Sequence, residues 1–183
     1  YLALAGFKVD VLERNSKAGG MVQFAIPGFR LTDEAIERDF KRVTDLGVKI
    51  HYNTKVDADL FSNLKKEYNY IYVGVGAQLS SPLKIAGNDA VGVIEPLKFL
   101  FDIKQGRNPE IGKNVLIIGG GNTAMDAART AYRVVGNEGK VTIVYRRTIN
   151  EMPADQGEIK AVLEEGMEII ELTNVNLYVF DID

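Results

Sequence analysis

Three small residues, Gly119, Gly121 and Ala124, stand in G-x-G-x-x-A spacing after the apolar run VLII and at the head of the helical pattern NTAMDAARTAYRVV. Each has a physical job in that setting. The first glycine permits a tight turn, the second leaves room for a pyrophosphate to approach the backbone, and the small third residue lets helix pack closely on strand. A helix beginning there presents free N–H groups and a positive dipole end to phosphate. The spacing alone equally describes a structural turn. The strand–turn–helix–strand context makes it a dinucleotide fingerprint.

The following strand, VTIVYRR (141–147), ends in Arg146 and Arg147. A site for NAD places Asp or Glu near this point, on the ribose 2′-hydroxyl. A 2′-phosphate repels a carboxylate and takes cationic, bidentate donors instead. The pair therefore points to NADPH, its plainer reading being a solvated basic pair at a strand end.

Other candidates are weaker. Glu13 closes the β-rich run KVDVLER, where a ribose-binding carboxylate would sit in a second unit of this kind. A solvated strand-terminal glutamate reads as well. YIYVGVGA (70–77) reads as a buried strand whose glycines bring backbone near a nucleotide, or else as a bulge or tight strand exit. His51, in an alternating strand, reads as a surface histidine. Asp126, near the start of the glycine-loop helix, suits the dipole. EMPADQGEIKAVLEEG (151–166) reads as a solvated helix start with Pro153 near its first position. Tyr68, Tyr70 and Tyr72 read as sheet packing rather than a base-stacking platform.

The elements that must position these residues alternate. A helix end at 1–6 precedes a strand at 8–14 and a glycine turn at 16–21. Residues 22–31 mix apolar and loop character. A helix from about 33 to 46 follows, with Thr32 as N-cap and Gly47 as stop. Next come a strand over 48–56, a short helix with Leu60 and Leu64 on one face, and the apolar run 70–77. Residues 78–95 form a linker. Beyond it lie a helix opened by Pro96, strand 114–118, helix 122–135, strand 141–145, helix 154–165 and strand 167–172. The tail from 174 to 183 suits a further strand. This alternation predicts an α/β fold, with parallel sheets and helices on their faces. A βαβ unit needs a strand and turn ahead of its helix, and none precedes the helix end at 1–6, so the chain is expected to begin inside a unit.

Composition removes other classes. The 183 residues hold 22 basic and 25 acidic side chains, a net charge of -3, which offers no footprint for nucleic acid. No apolar run approaches the roughly 18 residues that span a bilayer. There is no cysteine, so no disulfide, redox thiol pair or cysteine-held cluster lies within these residues, and a single histidine makes a His-rich metal site or triad a poor fit. No catalytic acid, base or metal ligand stands out.

Five motifs in order carry a resemblance. ER(x)4GGM, IPGFRL, YIYVGVGAQ, VLIIGGGNTAMDAARTA and VTIVYRR(x)4MPA together resemble the NADPH–FAD electron-entry module of the glutamate synthase small-subunit family. The flavin half of dihydropyrimidine dehydrogenase and related Fe–S flavoproteins are similar. The resemblance spans about residues 1–172. It implies tandem Rossmann-like FAD- and NAD(P)-binding domains, the first truncated: 1–95 an incomplete FAD-binding portion, and 96–183 an NADPH-binding domain inserted within it. It implies that Glu13 holds the FAD ribose, that Arg14, Gly19, Gly20 and Met21 line the flavin pocket with Arg30 nearby, and that Val56 meets the adenine through its backbone. Asn122, Thr123, Ala124 and Met125 would cradle NADPH phosphates, and Arg146 and Arg147 the 2′-phosphate.

The family's FAD glycine loop, its C-terminal FAD segment and its cysteine-rich Fe–S portion fall outside these residues. The implied protein is cytoplasmic. It passes hydride from NADPH to FAD and electrons onward to an electron-accepting subunit or Fe–S domain. The fragment alone is expected to be inactive. A non-catalytic NADPH-binding or sensing module, or an assembly domain that keeps the fold, are the alternatives.

Overall fold

The computed structural model describes residues 1–80 and 85–175. The chain divides into two compact units, Tyr1–Gln78 and Leu79–Asp183. The division falls earlier than the expected 95/96 boundary. Within the second unit the Ser80 hydroxyl donates to Glu95, whose carboxylate accepts from Leu97 N at 2.8 Å and Lys98 N at 2.7 Å. Part of the expected linker is thereby tied to the helix that follows it.

In the first unit, β1 (Asp10–Leu12) and β2 (Lys49–His51) pair in parallel, Val11 opposite Ile50. A short helix α1 (Met21–Phe24) follows the glycine turn. Helix α2 (Asp33–Asp45) opens on Thr32, whose hydroxyl accepts from Ala35 N at 3.3 Å, and stops at Gly47, φ 84°. Helix α3 (Ala58–Glu67) is capped by Asp57. Ala18, Ala25 and Ile36 are buried here.

In the second unit, α4 (Pro96–Lys104) leads to the parallel sheet β3 (Asn114–Ile118), β4 (Lys140–Val144) and β5 (Glu168–Ile170), ordered β3-β4-β5. Helices α5 (Asn122–Val135) and α6 (Gln156–Glu164) form the crossovers. The face of α5 made by Ala124, Ala127, Ala128 and Ala131 is buried, so small side chains allow close approach to β3, β4 and α6. Met125, Ile143 and Val162 are the largest fully buried side chains. This strand–helix–strand–helix–strand run is half of a doubly wound fold.

Four expectations change. Residues 70–77 form no strand and are exposed throughout, Tyr70 at 83% and Tyr72 at 89%. No strand of the described residues runs beside them, so apolar character alone does not bury them, and these two tyrosines are not sheet packing. The opening residues 1–6 form turns rather than a regular helix end, closed by Gly6 at φ 88°. The strand expected over 48–56 is limited to β2 and gives way to a turn in which Asn53 takes φ 53°. Helix α6 starts at Gln156 with Asp155 as N-cap, so Pro153 precedes it, and the stretch before it is solvated only in part: Glu151, Pro153 and Asp155 are exposed while Met152 and Ala154 are each 5% exposed. The strand suggested in the tail lies largely outside the described residues.

Candidate nucleotide site

The site grows from the end of β3. Gly119 takes φ 139°, a backbone conformation that disfavours a side chain, and its N–H donates to Val144 O at 3.1 Å. A Cβ built on it would lie 3.5 Å from that of Ala124, so these two positions meet as the motif requires. Gly121 is the N-cap of α5 and has open space where a Cβ would stand. Having no side chain, it leaves the helix without a side-chain cap. Ala124 N and Met125 N turn back to Gly121 O at 2.9 and 3.2 Å. The N–H groups of Asn122 and Thr123 have no intrahelical acceptor. Helices α2, α3, α4 and α6 all open on a capping oxygen.

The central Gly120, not singled out by the motif, is buried. A Cβ there would fall 2.7 Å from the Tyr145 ring and 3.0 Å from Met152 Cγ. Ala154 N donates to Gly120 O at 3.1 Å, and Asp155 N to Asn122 Oδ1 at 2.8 Å. Segment 152–155 thus lies against the glycine turn. Sequence spacing could not show this, because the partners are some thirty residues apart along the chain; the unbroken GGG was the available hint.

Arg146 and Arg147 follow the carboxyl end of β4, beside the glycine turn at the end of β3. Their backbone is held: Tyr145 N donates to Ile170 O, Thr173 N to Tyr145 O and Leu172 N to Arg147 O. Both side chains are exposed, and among the described residues neither forms an ion pair. Thr148 and Glu151 then form a reciprocal capping box. The Thr148 backbone N–H, then its hydroxyl, then the charge of Arg147 hold the Glu151 carboxyl below its ordinary value. Asn122 is exposed and Thr123 half-buried, whereas Met125 is fully buried. Only its backbone could face a ligand. Asp126 is 5% exposed, inside the packed face of α5.

In the first unit Glu13 lies just past β1. Its N–H donates to His51 O, its carbonyl accepts from Thr54 N at 2.8 Å, and its Oε1 accepts from Asn15 N at 2.8 Å. Arg14 donates to Gln78 Oε1. Gly19 and Gly20, at φ 120° and 52°, lead into α1, whose first residue is Met21. Arg30 sits in the turn closing on Pro27 O, and Val56 is 40% exposed just before the α3 cap. A cavity of about 220 Å³ beside the Gly19 turn is lined by Lys17, Gln23, Phe40 and Tyr52 among others. His51 is half exposed, as a surface histidine should be, yet it has a partner: its Nε2 lies 2.8 Å from Asp10 Oδ1. That contact holds the Asp10 carboxyl below its ordinary value.

The sequence profile of the family described as pyridine nucleotide-disulphide oxidoreductase matches residues 36–177. The chain belongs to that family. It is 40% identical over 174 residues to the YgfK protein of Escherichia coli (strain K12), covering 95% of this chain and 17% of that one. It is 35% identical over 175 residues to the glutamate synthase (NADPH) small chain of the same organism, covering 89% of this chain and 37% of that one. The chain therefore spans well under half the length of these relatives. Among solved structures, FprA of Mycobacterium tuberculosis in complex with NADPH superposes with a TM-score of 0.73 at 22% identity, over 87% of this chain and 41% of that one. That likeness shows the fold, a Rossmann-like oxidoreductase fold of which this chain is part.

Among the described residues no cluster of His, Asp or Glu could hold a metal ion, and no helix is long and apolar enough to cross a membrane.

Proposed function

We propose that the chain is part of a cytoplasmic NADPH-dependent flavoprotein oxidoreductase, in which hydride passes from NADPH to FAD and electrons go on to a partner subunit or Fe–S centre. The observation that carries this reading is the open first turn of α5 beside two exposed arginines that form no ion pair among the described residues. Phosphate needs N–H donors at a helix start, and a 2′-phosphate needs a guanidinium fork. When bound, NADPH supplies a hydride, and FAD takes up two electrons and releases them singly.

The chain's own residues bind and orient. Residues 96–183 serve the nicotinamide dinucleotide. Gly119 shapes the turn, Gly121 leaves space for the pyrophosphate, and the first-turn backbone from Asn122 to Met125 receives the phosphates with its dipole. Arg146 and Arg147 take the 2′-phosphate. Residues 1–95 serve the flavin. Glu13, with Oε1 held by Asn15 N–H, offers Oε2 to a ribose hydroxyl. Arg14, Gly19, Gly20 and Met21 line the pocket, with Arg30 and the Val56 backbone near it. The relatives named for NADPH chemistry support the same choice of cofactor.

A titration of the chain with NADPH and NADH, followed by nucleotide fluorescence, tests this. NADPH should bind at least about tenfold more tightly, and Arg146→Ala with Arg147→Ala should remove that margin, since each charge-assisted contact contributes about 1.5–3 kcal/mol. Tighter NADH binding refutes the role given to the arginines. No binding of either refutes the nucleotide site and leaves an assembly domain. NADPH binding by a full-length protein that carries no flavin absorbance favours a sensing module.

A further inference from the structure

Two parts of the nucleotide site lie on different segments: the glycine turn after β3 and the arginine pair after β4. Specificity for a phosphorylated nucleotide requires both to be aimed at one ligand. The chain between Arg147 and α6 is held by the Ile149 N–H, which donates to Glu171 Oε2 at 2.6 Å, and at three further points. The Tyr145 hydroxyl donates to Glu151 O at 3.1 Å, Ala154 N to Gly120 O at 3.1 Å, and Asp155 N to Asn122 Oδ1 at 2.8 Å. Only the last uses a side chain of the glycine-turn segment. Because the donor is a backbone N–H, the acceptor must be the amide oxygen of Asn122, which fixes the orientation of that side chain. Asp155 in turn caps α6 by accepting from Gly157 N at 2.8 Å. Between these anchors, the Thr148–Glu151 capping box stiffens the turn that leads back to Arg147.

We infer that Asn122 is a positioning residue. By holding Asp155 it seats segment 152–155 on Gly120, and so couples the glycine turn to Arg146 and Arg147 as a single recognition unit. The inference rests on the NADPH reading above and deepens it. It assigns the Asn122 side chain to discrimination between phosphorylated and unphosphorylated nucleotides, and leaves phosphate binding in the first turn to backbone N–H groups.

The two roles separate by experiment. A side chain that touched the pyrophosphate would contribute equally to NADPH and NADH, which share that group. A side chain that aims the arginines contributes to NADPH alone. The 183-residue chain is titrated with both nucleotides as wild type, Asn122→Ala and Asn122→Asp. The ratio of Kd for NADH to Kd for NADPH should fall about tenfold in Asn122→Ala, about one hydrogen bond's worth of positioning, while Kd for NADH stays within about threefold. Asn122→Asp keeps an acceptor for Asp155 N–H and should keep the ratio, although its charge weakens both affinities. Hydrogen exchange at the Asp155 amide should accelerate in Asn122→Ala and not in Asn122→Asp.

Equal weakening of both nucleotides in Asn122→Ala, with the ratio preserved, overturns the inference and leaves the NADPH reading standing. Loss of the ratio in Asn122→Asp overturns it too, and does not depend on the alanine variant folding. A wild type that binds but does not prefer NADPH refutes the arginine assignment itself, and the coupling falls with it.

Discussion

Gly120 and Gly121 are neighbours of identical chemistry with opposite reasons to lack a side chain. Gly120 has no room inside the protein: Tyr145 and Met152 occupy the space. Gly121 has room, and in the proposed site that emptiness leaves space for the phosphate. Substitution should separate the two. Gly120→Ala must displace the Tyr145 ring and should cost about 1–3 kcal/mol of stability by overpacking. Gly121→Ala should cost less than about 1 kcal/mol, the scale of a changed N-cap, yet weaken NADPH binding by crowding the phosphate. Chemical denaturation and NADPH titration of both variants check this; equal loss of stability would be contrary to it. The fingerprint was legible at Gly119, Gly121 and Ala124 because their roles depend on local spacing. The role of Gly120 was not, because it depends on Met152, which only folding brings near.

Helices α5 and α6 are joined by an ion-pair network. Arg129 donates to Glu158 and Glu165 at 2.8 Å each, and Arg133 reaches Glu165 at 2.9 Å. Arg129 is only 13% exposed and Glu165 22%. The Arg133 hydrogen bond first, opposed by burial and then reinforced by Arg129, holds the Glu165 carboxyl down to about 2 from its usual 4.5. The sign follows from that depression. The folded state binds the Glu165 proton less readily than the unfolded chain, so this contribution is complete above about 4.5 and is lost as pH falls toward 2. Its size is on the order of 3 kcal/mol, from the fall from 4.5 to about 2 at 1.36 kcal/mol per unit. Urea midpoints measured from pH 6 down to 2.5 should therefore fall more steeply in wild type than in Glu165→Gln. Parallel curves would show that the network gives no such pH dependence. The elements themselves were legible: β3, α5 and β4 lie within about one residue of expectation, since strand, glycine turn and helix follow each other locally. This cross-link was not, because charged residues on two helices reveal their faces only once both helices pack on the sheet.

The molecule as a whole shows where reading a sequence stops. YIYVGVGA has the apolar character of a buried strand, but burial needs a neighbour, and no described strand provides one. The second unit, by contrast, carries its own sheet and core, and the proposed nicotinamide-nucleotide site lies within it. NADPH should accordingly protect amides within Leu79–Asp183, above all at the start of α5, and leave Tyr1–Gln78 largely unchanged in hydrogen-exchange mass spectrometry. At a concentration of 100 Kd the liganded unit gains about 2.7 kcal/mol. Protection confined to the first unit would contradict the assignment of the two halves.

The uncapped start of α5 bears on folding as well as binding. Four other helices complete their first turns with their own oxygens, a contribution of about 1 kcal/mol apiece. Helix α5 has no side-chain cap among the described residues, and in the proposed site a nucleotide phosphate would supply the acceptor. On the proposed reading the anion becomes a component of the helix, and the nucleotide pool around the protein would set how firmly that helix is wound.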